Sequence, residues 1–350
     1  MRFGLAARAI WRISDAALKP QESQRILLTR LKSLGDIVFT LPAVHQVRAA
    51  FPEAAISFLV SKEYASLMAG FRDVGTVLAL DRSRLRGLNP KEMTEEVISL
   101  FRKLRQSKFG LVVDFQGYGE TALLTWLSGA PERWGSVYRG GRKWAYTRRV
   151  RRDPSLHPVD CFLALVREEP KRSEPLRNEF VLPESAIVEA EGFFRQHGLD
   201  PVRQTLFIQP FTSAPHKNWR MEGYLAAARH WQDRGVQVLF GGGPADMAAC
   251  RPAREAGFPV AAGSALLVSA GLMKISTVVL GSDTGLLHLA VAMGKRVVML
   301  LPSTGPGSCH PFQHKDWSLV PPAGQAVSAI TAEVVISASK RALEEERRDA

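Results

Sequence analysis

What most restricts this chain is an alternation of short apolar β-type runs with amphipathic helical stretches, and it occurs twice. From residue 25 the pattern predicts strands over 26–28, 56–60, 77–80 and 111–115, with helices over 36–50 and 91–105. After a polar, proline-containing stretch at 170–184 it resumes with a helix over 186–197. Strands over 205–209, 236–240, 277–281 and 296–301 then alternate with helices over 221–234, 246–256 and 286–293. A last helix spans 331–347, with Thr331 placed to cap it. Neighbouring parallel strands need a crossover between them, and helices supply it, so each series predicts a doubly wound α/β sheet. The expected division is a basic amphipathic segment 1–24, a domain 25–178, a second domain 179–335 and the end of the terminal helix, 336–350. A chain of 350 residues can bury two such cores, and its 46% hydrophobic residues are those of a folded protein.

The balance of charge narrows the partners. A net charge of +12 calls for an anionic one: nucleic acid, a membrane face or a phosphorylated substrate. No apolar window is long enough to span a bilayer. Residues 1–18 are apolar and basic, but Arg8, Arg12 and Asp15 interrupt them and no small-residue cleavage site follows, so they do not read as a signal peptide. They fit either a packed terminal helix or an interfacial anchor with Phe3, Ala7, Ile10 and Trp11 near one face. Three cysteines without paired spacing suggest neither a disulfide framework nor a zinc module, and fit a reducing compartment.

Ligands of an open α/β sheet bind beyond the carboxyl ends of its strands, so the strand-to-helix turns carry the chemistry. In Arg30-Leu-Lys-Ser-Leu-Gly-Asp36, Gly35 permits close backbone approach, while Asp36 either caps the helix or faces the cleft as a general base. In Gln209-Pro-Phe-Thr-Ser-Ala-Pro-His-Lys-Asn-Trp219, Thr212 and Ser213 offer hydroxyls and Lys217 a point charge suited to a diphosphate. The turn Gly241-Gly-Gly-Pro-Ala-Asp246 is not a G-x-G-x-x-G fingerprint; Asp246 either caps or binds ribose hydroxyls. In Gly281-Ser-Asp-Thr-Gly-Leu-Leu-His288, Asp283, Thr284 and Gly285 form a helix entry whose N–H groups attract an anion, with His288 one turn in. Asp283 then accepts from sugar hydroxyls.

These elements, in this order, resemble glycosyltransferase family 9, the ADP-heptose:lipopolysaccharide heptosyltransferases. The likeness rests on Ser33-Leu-Gly-Asp36 with Leu41-Pro42, Arg48 and Phe51-Pro52, on Thr212-Ser213 with Lys217 and Trp219, on Gly242-Gly-Pro, and on Ser282-Asp-Thr-Gly-Leu-Leu-His-Leu-Ala290. It runs from about Arg25 to Pro306. It implies a GT-B fold, two Rossmann-like domains facing across a cleft, with Asp36 as base. It also implies an ADP-sugar donor whose phosphates meet Thr212, Ser213, Lys217, Thr284, Gly285 and His288. Asp283 and Asp246 then serve its sugar and ribose. The resemblance further implies an inverting reaction that needs neither metal nor cofactor, and the chain holds no Asp-x-Asp motif. It departs at Leu301-Pro-Ser-Thr-Gly-Pro-Gly307, near the expected donor.

Residues 133–152 hold eight Arg or Lys and no Asp or Glu, interleaved with Trp134, Tyr138, Trp144 and Tyr146. Such a stretch suits nucleic acid or a solvated loop, but the resemblance implies a phosphorylated glycolipid acceptor. Arg142, Lys143, Arg148 and Arg149 are its expected contacts, with no nucleic acid partner. The expected place of work is cytoplasmic, peripheral on an anionic inner-membrane face. His157 and Asp160 read as structural, and Cys309, His310 and His314 do not make a metal site. Two other readings of the same features are a nucleotide-sugar epimerase and a non-enzymatic binding protein with a basic surface.

Overall fold

The computed structural model describes residues 25–137, 140–167 and 176–349. The segment 1–24, part of the basic stretch and part of the stretch 170–184 therefore lie outside the described residues. Six parallel strands form the first sheet: β1 (Arg25–Thr29), β2 (Ala55–Ser61), β3 (Thr76–Leu80), β4 (Leu111–Asp114), β5 (Glu132–Val137) and β6 (Arg148–Arg151). Six more form the second: β7 (Thr205–Gln209), β8 (Gln237–Gly242), β9 (Val260–Ala262), β10 (Val278–Ser282), β11 (Arg296–Leu300) and β12 (Ser318–Leu319). Their spatial orders are β3-β2-β1-β4-β5-β6 and β12-β11-β10-β7-β8-β9. Read along each half, both are the doubly wound order 3-2-1-4-5-6. The strand order therefore reverses between β1 and β4 and again between β7 and β10, and each reversal opens a crevice at the carboxyl edge.

The crossover elements of the first half are α1 (Leu34–Val38), α2 (Leu41–Ala50), α3 (Arg82–Gly87), α4 (Pro90–Gln106), α5 (Gly119–Leu127) and α6 (Pro158–Val166). Those of the second are α7 (Glu184–Gln196), α8 (Met221–Gln232), α9 (Arg251–Glu255), α10 (Leu266–Ile275), α11 (Gly285–Ala292) and α12 (Ala332–Asp349). Successive strand residues point to opposite faces, and the cores divide accordingly. Leu27, Leu59 and Val112 pack with Leu104 on one face, while Ile26, Leu28, Phe58 and Val113 pack with Val44 and Phe162 on the other. The second sheet divides in the same way, with Leu206, Ile208 and Val238 beneath α8 and α12, and Phe207, Leu239 and Val279 towards α10 and α11. Burying each such side chain contributes about 1.5–3 kcal/mol, so the register is strongly held.

Several sequence expectations need correction. The helix expected over 36–50 is broken: α1 ends at Val38, the Thr40 hydroxyl donates to Ile37 O (2.6 Å), and Pro42 restarts the helix as α2. The helix expected over 246–256 is a 3₁₀ turn, Pro244–Asp246, followed only later by the short α9. The basic stretch is not a loop but β5, a 3₁₀ turn at Gly140–Ala145 and β6. Helix α12, Ala332–Asp349, runs unbroken across the expected boundary at 335.

The two halves meet directly. The chain entering the second half hydrogen-bonds both, Val181 N–H donating to Gly70 O and Phe180 N–H to Ala292 O. The loop after β11, where the sequence departs from the family pattern, docks on the first half: Gly307 N–H donates to Ser155 O (2.8 Å). His157 Nδ1 accepts from Val159 N–H, so its Nε2 carries the proton and donates to His310 O (3.0 Å). Burial holds that ring's pKa down at about 4, and it stays neutral in this contact.

Candidate active site

Both crevices open onto one cleft, and α1 and α11 form its closest approach. A Cβ on Gly285 would fall 2.6 Å from Gly35 N and 2.7 Å from Leu34 Cβ, so only glycine admits this backbone contact. A Cβ on Gly35 would meet Gly285 Cα at 3.4 Å, an ordinary contact. The requirement is thus one-sided.

On the first wall, Asp36 lies in the opening turn of α1, behind the N-cap Ser33. Arg30, only 3% exposed, directs Nη2 to Asp36 Oδ2 (2.7 Å) and Nη1 to Phe115 O (3.0 Å). Ser33 adds its hydroxyl (3.0 Å) and its N–H (3.3 Å), both donated to the same Oδ2. Capping and ion pairing therefore converge on one oxygen, which leaves Oδ1 to take a proton. Burial acts to raise the Asp36 pKa, but the Arg30 charge and the Ser33 hydrogen bonds outweigh it and hold the carboxyl below its usual range. The turn itself is held by the fully buried Gln116, whose Oε1 accepts from Leu31 N–H (2.9 Å) and Lys32 N–H (3.3 Å). Gln116 is in turn placed by Asp114, the last residue of β4, which accepts from Gln116 N–H, Gly117 N–H and the Tyr146 hydroxyl (2.7 Å).

On the second wall, Asp283 ends the turn after β10. Its Oδ2 receives Lys217 Nζ (2.6 Å) and its Oδ1 receives His288 Nε2 (3.0 Å). Burial would raise the Asp283 pKa, but the His288 hydrogen bond and the Lys217 charge bring it below the ordinary value. The Lys217 ammonium is opposed by burial yet held above its usual pKa by the Asp283 carboxylate, with a further contribution from Asp36. Asp36 and Lys217 thus act on one another electrostatically although they stand on opposite walls. Thr284 is the N-cap of α11 without a side-chain bond into it, so its hydroxyl leaves the first N–H groups of α11 uncapped.

The structure separates the sequence-predicted residues. It brings together Asp36, Lys217, Asp283, Thr284, Gly285 and His288, but His288 is 4% exposed and packs on the Phe39 ring (4.5 Å). Its Nε2 meets Asp283, and through that carboxylate it is tied to the cleft. The Thr212 hydroxyl is occupied within its own turn, donating to Ala214 O (2.8 Å), while Ser213 is exposed beside it. Asp246 caps locally, its Oδ2 accepting from Gly243 N–H (2.8 Å). Arg142 Nη1 donates to Gly117 O (2.8 Å), which fixes it beside the first crevice, and Lys143 is exposed next to it.

Arg148 and Arg149 do not reach the carboxyl edge. They open β6, and Arg148 turns back over Trp134 (4.8 Å) to donate to Arg167 O. The basic residue that does reach the edge is Arg152, which stacks over Phe162 (5.6 Å) on the ring that also carries Arg30 (5.4 Å). Sequence reasoning gave no role to Arg30 or Gln116. The rule of looking past strand ends, applied after the strand predicted at 111–115, points to Gln116. Cys309 also faces this cleft, its thiol pushed up to about 11 by burial and by the Asp283 and Asp36 carboxylates. His314 stacks on Trp317 (3.7 Å), away from Cys309, and among the described residues no group of three His, Cys, Asp or Glu is placed to hold a metal ion.

Known proteins share this architecture. The model of glycosyltransferase family 9 (heptosyltransferase) matches residues 97–327, a span that takes in Lys217, Asp283 and His288 and begins after Asp36. Lipopolysaccharide core heptosyltransferase OpsX of Haemophilus influenzae is 24% identical over 311 residues, 83% of this chain and 82% of that protein. Lipopolysaccharide heptosyltransferase 1 of Pseudomonas aeruginosa is 28% identical over 289 residues, 81% of this chain and 80% of its own. The solved ADP-heptose lipopolysaccharide heptosyltransferase II of Escherichia coli superposes with a TM-score of 0.76 over 92% of this chain and 99% of that one, at 20% identity, and so shares the GT-B fold. The matched span, the paired doubly wound sheets and the cleft between them place the chain in glycosyltransferase family 9, and it is a glycosyltransferase.

Proposed function

We propose that this enzyme moves a heptose-type sugar from an ADP-linked donor to a lipopolysaccharide core acceptor, with inversion and without a metal. The observation that carries the reading is the pairing across one cleft of an ionised carboxylate, Asp36, with the Lys217–Asp283 pair at the mouth of α11. The relatives' names, all three lipopolysaccharide heptosyltransferases and one of them described with ADP-heptose, supply the sugar, the donor and the acceptor class. Asp36 Oδ1 takes the proton of the acceptor hydroxyl as its oxygen bonds to the anomeric carbon. The bond from that carbon to the diphosphate oxygen breaks on the opposite side, and ADP departs with the electron pair. Lys217 and the N–H groups of α11 meet the charge developing on the diphosphate, a preorganised role that is commonly the largest catalytic contribution. These groups supply positive charge where a metal otherwise could, which supports the metal-independent reading. Asp283 orients Lys217, and Thr212, Ser213 and Asp246 complete the donor site through backbone and ribose contacts. Arg142, Lys143 and Arg152 face the acceptor's anionic groups. With a membrane glycolipid as acceptor, the enzyme works as a peripheral protein on the cytoplasmic face of the inner membrane; no described helix is long and apolar enough to cross it.

Lys217 tests the donor half of this reading. Lys217→Ala removes the cation and leaves Asp283 facing the diphosphate, so ADP affinity falls by about tenfold or more, roughly 1.4 kcal/mol. Isothermal titration with ADP measures it, and unchanged affinity would remove Lys217 from the site.

A further inference from the structure

Two exposed tryptophans of the first half have no role in the chemistry above. Trp126, near the end of α5, is 51% exposed, and Trp144, in the 3₁₀ turn Gly140–Ala145, is 52% exposed. Their rings meet edge to face with centroids 5.8 Å apart, and Leu123, one turn earlier on α5, is 43% exposed. Large aromatic rings clustered half exposed to water mark a surface that a second phase receives. Their surroundings say which phase. Lys143 is exposed next to Trp144, and residues 133–152 carry eight cations and no carboxylate. The carboxylate nearest in sequence on α5, Glu120, is turned to Arg82 and Gln116. Tryptophan flanked by basic side chains is the composition of a membrane–water interface, where the ring sits at headgroup depth and the cations meet anionic lipid.

We propose that Trp126, Trp144 and Leu123 insert into the interface of an anionic bilayer, with Lys143 beside them against its headgroups. Trp126 is near the end of α5 and Trp144 lies four residues before β6, where Ala145 O accepts from Arg133 at the start of β5, so the patch sits on the flank of the first sheet. The inference rests on the reading of the acceptor as a membrane glycolipid, which it refines by naming the surface that meets the lipid.

The test is co-sedimentation of the full-length protein with vesicles of phosphatidylcholine, with and without phosphatidylglycerol, free of any acceptor. The wild type binds the phosphatidylglycerol vesicles, less so at high salt, and vesicles with brominated acyl chains quench part of its tryptophan emission. In Trp126→Ser/Trp144→Ser the lipid concentration for half binding rises about tenfold or more, and that quenching is lost. Transfer to a deacylated, water-soluble acceptor is unchanged. Equal binding of wild type and variant overturns the proposal, as does a wild type that ignores anionic vesicles. A wild-type dimer that the variant splits into monomers also overturns it, by making the patch a contact between copies. Vesicle binding without sugar transfer would instead overturn the transferase reading and leave the membrane surface standing.

Discussion

Replacing Asp36 with asparagine is expected to lower the transfer rate about 10²–10⁴-fold, the range for loss of a general base, while ADP-sugar affinity stays close to that of the wild type. The split follows from position. Asp36 stands on the first wall, with Arg30 and Ser33 on its Oδ2, whereas the donor groups Lys217 and Asp283 stand on the second. Asparagine keeps an oxygen for those donors and cannot take the proton. Near-normal turnover by Asp36→Asn would end the base assignment, and a comparable loss of donor affinity would place Asp36 in the donor site instead.

The ion pair also sets a pH dependence. Because the folded pKa of Asp36 lies below its unfolded value near 3.9, the stability it contributes is present above about pH 4 and is lost as pH falls through the lowered value. The acid limb of kcat/KM due to Asp36 therefore lies below the ordinary carboxylate range. In Arg30→Gln burial acts unopposed by the guanidinium, so that limb moves to higher pH, and Arg30→Lys restores part of the shift.

A comparable loss is expected from a single methyl group at the closest approach of the two halves. In Gly285→Ala the new Cβ meets Gly35 N and Leu34 Cβ at 2.6 and 2.7 Å, and neither atom is the free end of a side chain. The walls must separate, and a displacement of about 1 Å at an active site can cost about 10²-fold in rate. Gly35→Ala meets only ordinary contacts from the other side, so it retains most of its activity. The pair is its own control: kcat/KM and melting temperature for both variants separate a closure effect from general destabilisation. If Gly285→Ala is as active as Gly35→Ala, the contact between α1 and α11 has no part in the working form.

Apolar periodicity made the central strands legible. β1, β2, β4, β7, β8, β10 and β11 are buried on both faces and read as apolar runs in sequence. The edges were hidden for an equally physical reason. β6 is Arg-Arg-Val-Arg with Arg149 and Arg151 towards solvent, which guards an edge strand but reads as a charged loop. The break between α1 and α2 had a visible signal in Pro42, yet the Thr40 hydroxyl bond that completes it depends on three-dimensional placement. In the candidate site, Asp36, Lys217 and Asp283 could be read because each follows a strand on the functional edge. Arg30 is also tied to Phe115 O, and Gln116 holds the turn before the base at Leu31, both contacts 85 positions apart in the chain, which a local motif does not show. The burial of His288 behind Asp283 was equally invisible, since the helix spacing allows the ring to face either ligand or core.

The most direct test of the central claim follows ADP release and the sugar product together, using ADP-heptose with and without a heptose-free lipopolysaccharide core acceptor. The account predicts that ADP appears only with the acceptor, in step with the sugar transferred, and that the new linkage has the anomeric configuration opposite to the donor's. Consumption or isomerisation of ADP-heptose at the same rate without acceptor, or a product that keeps the donor's configuration, would contradict it.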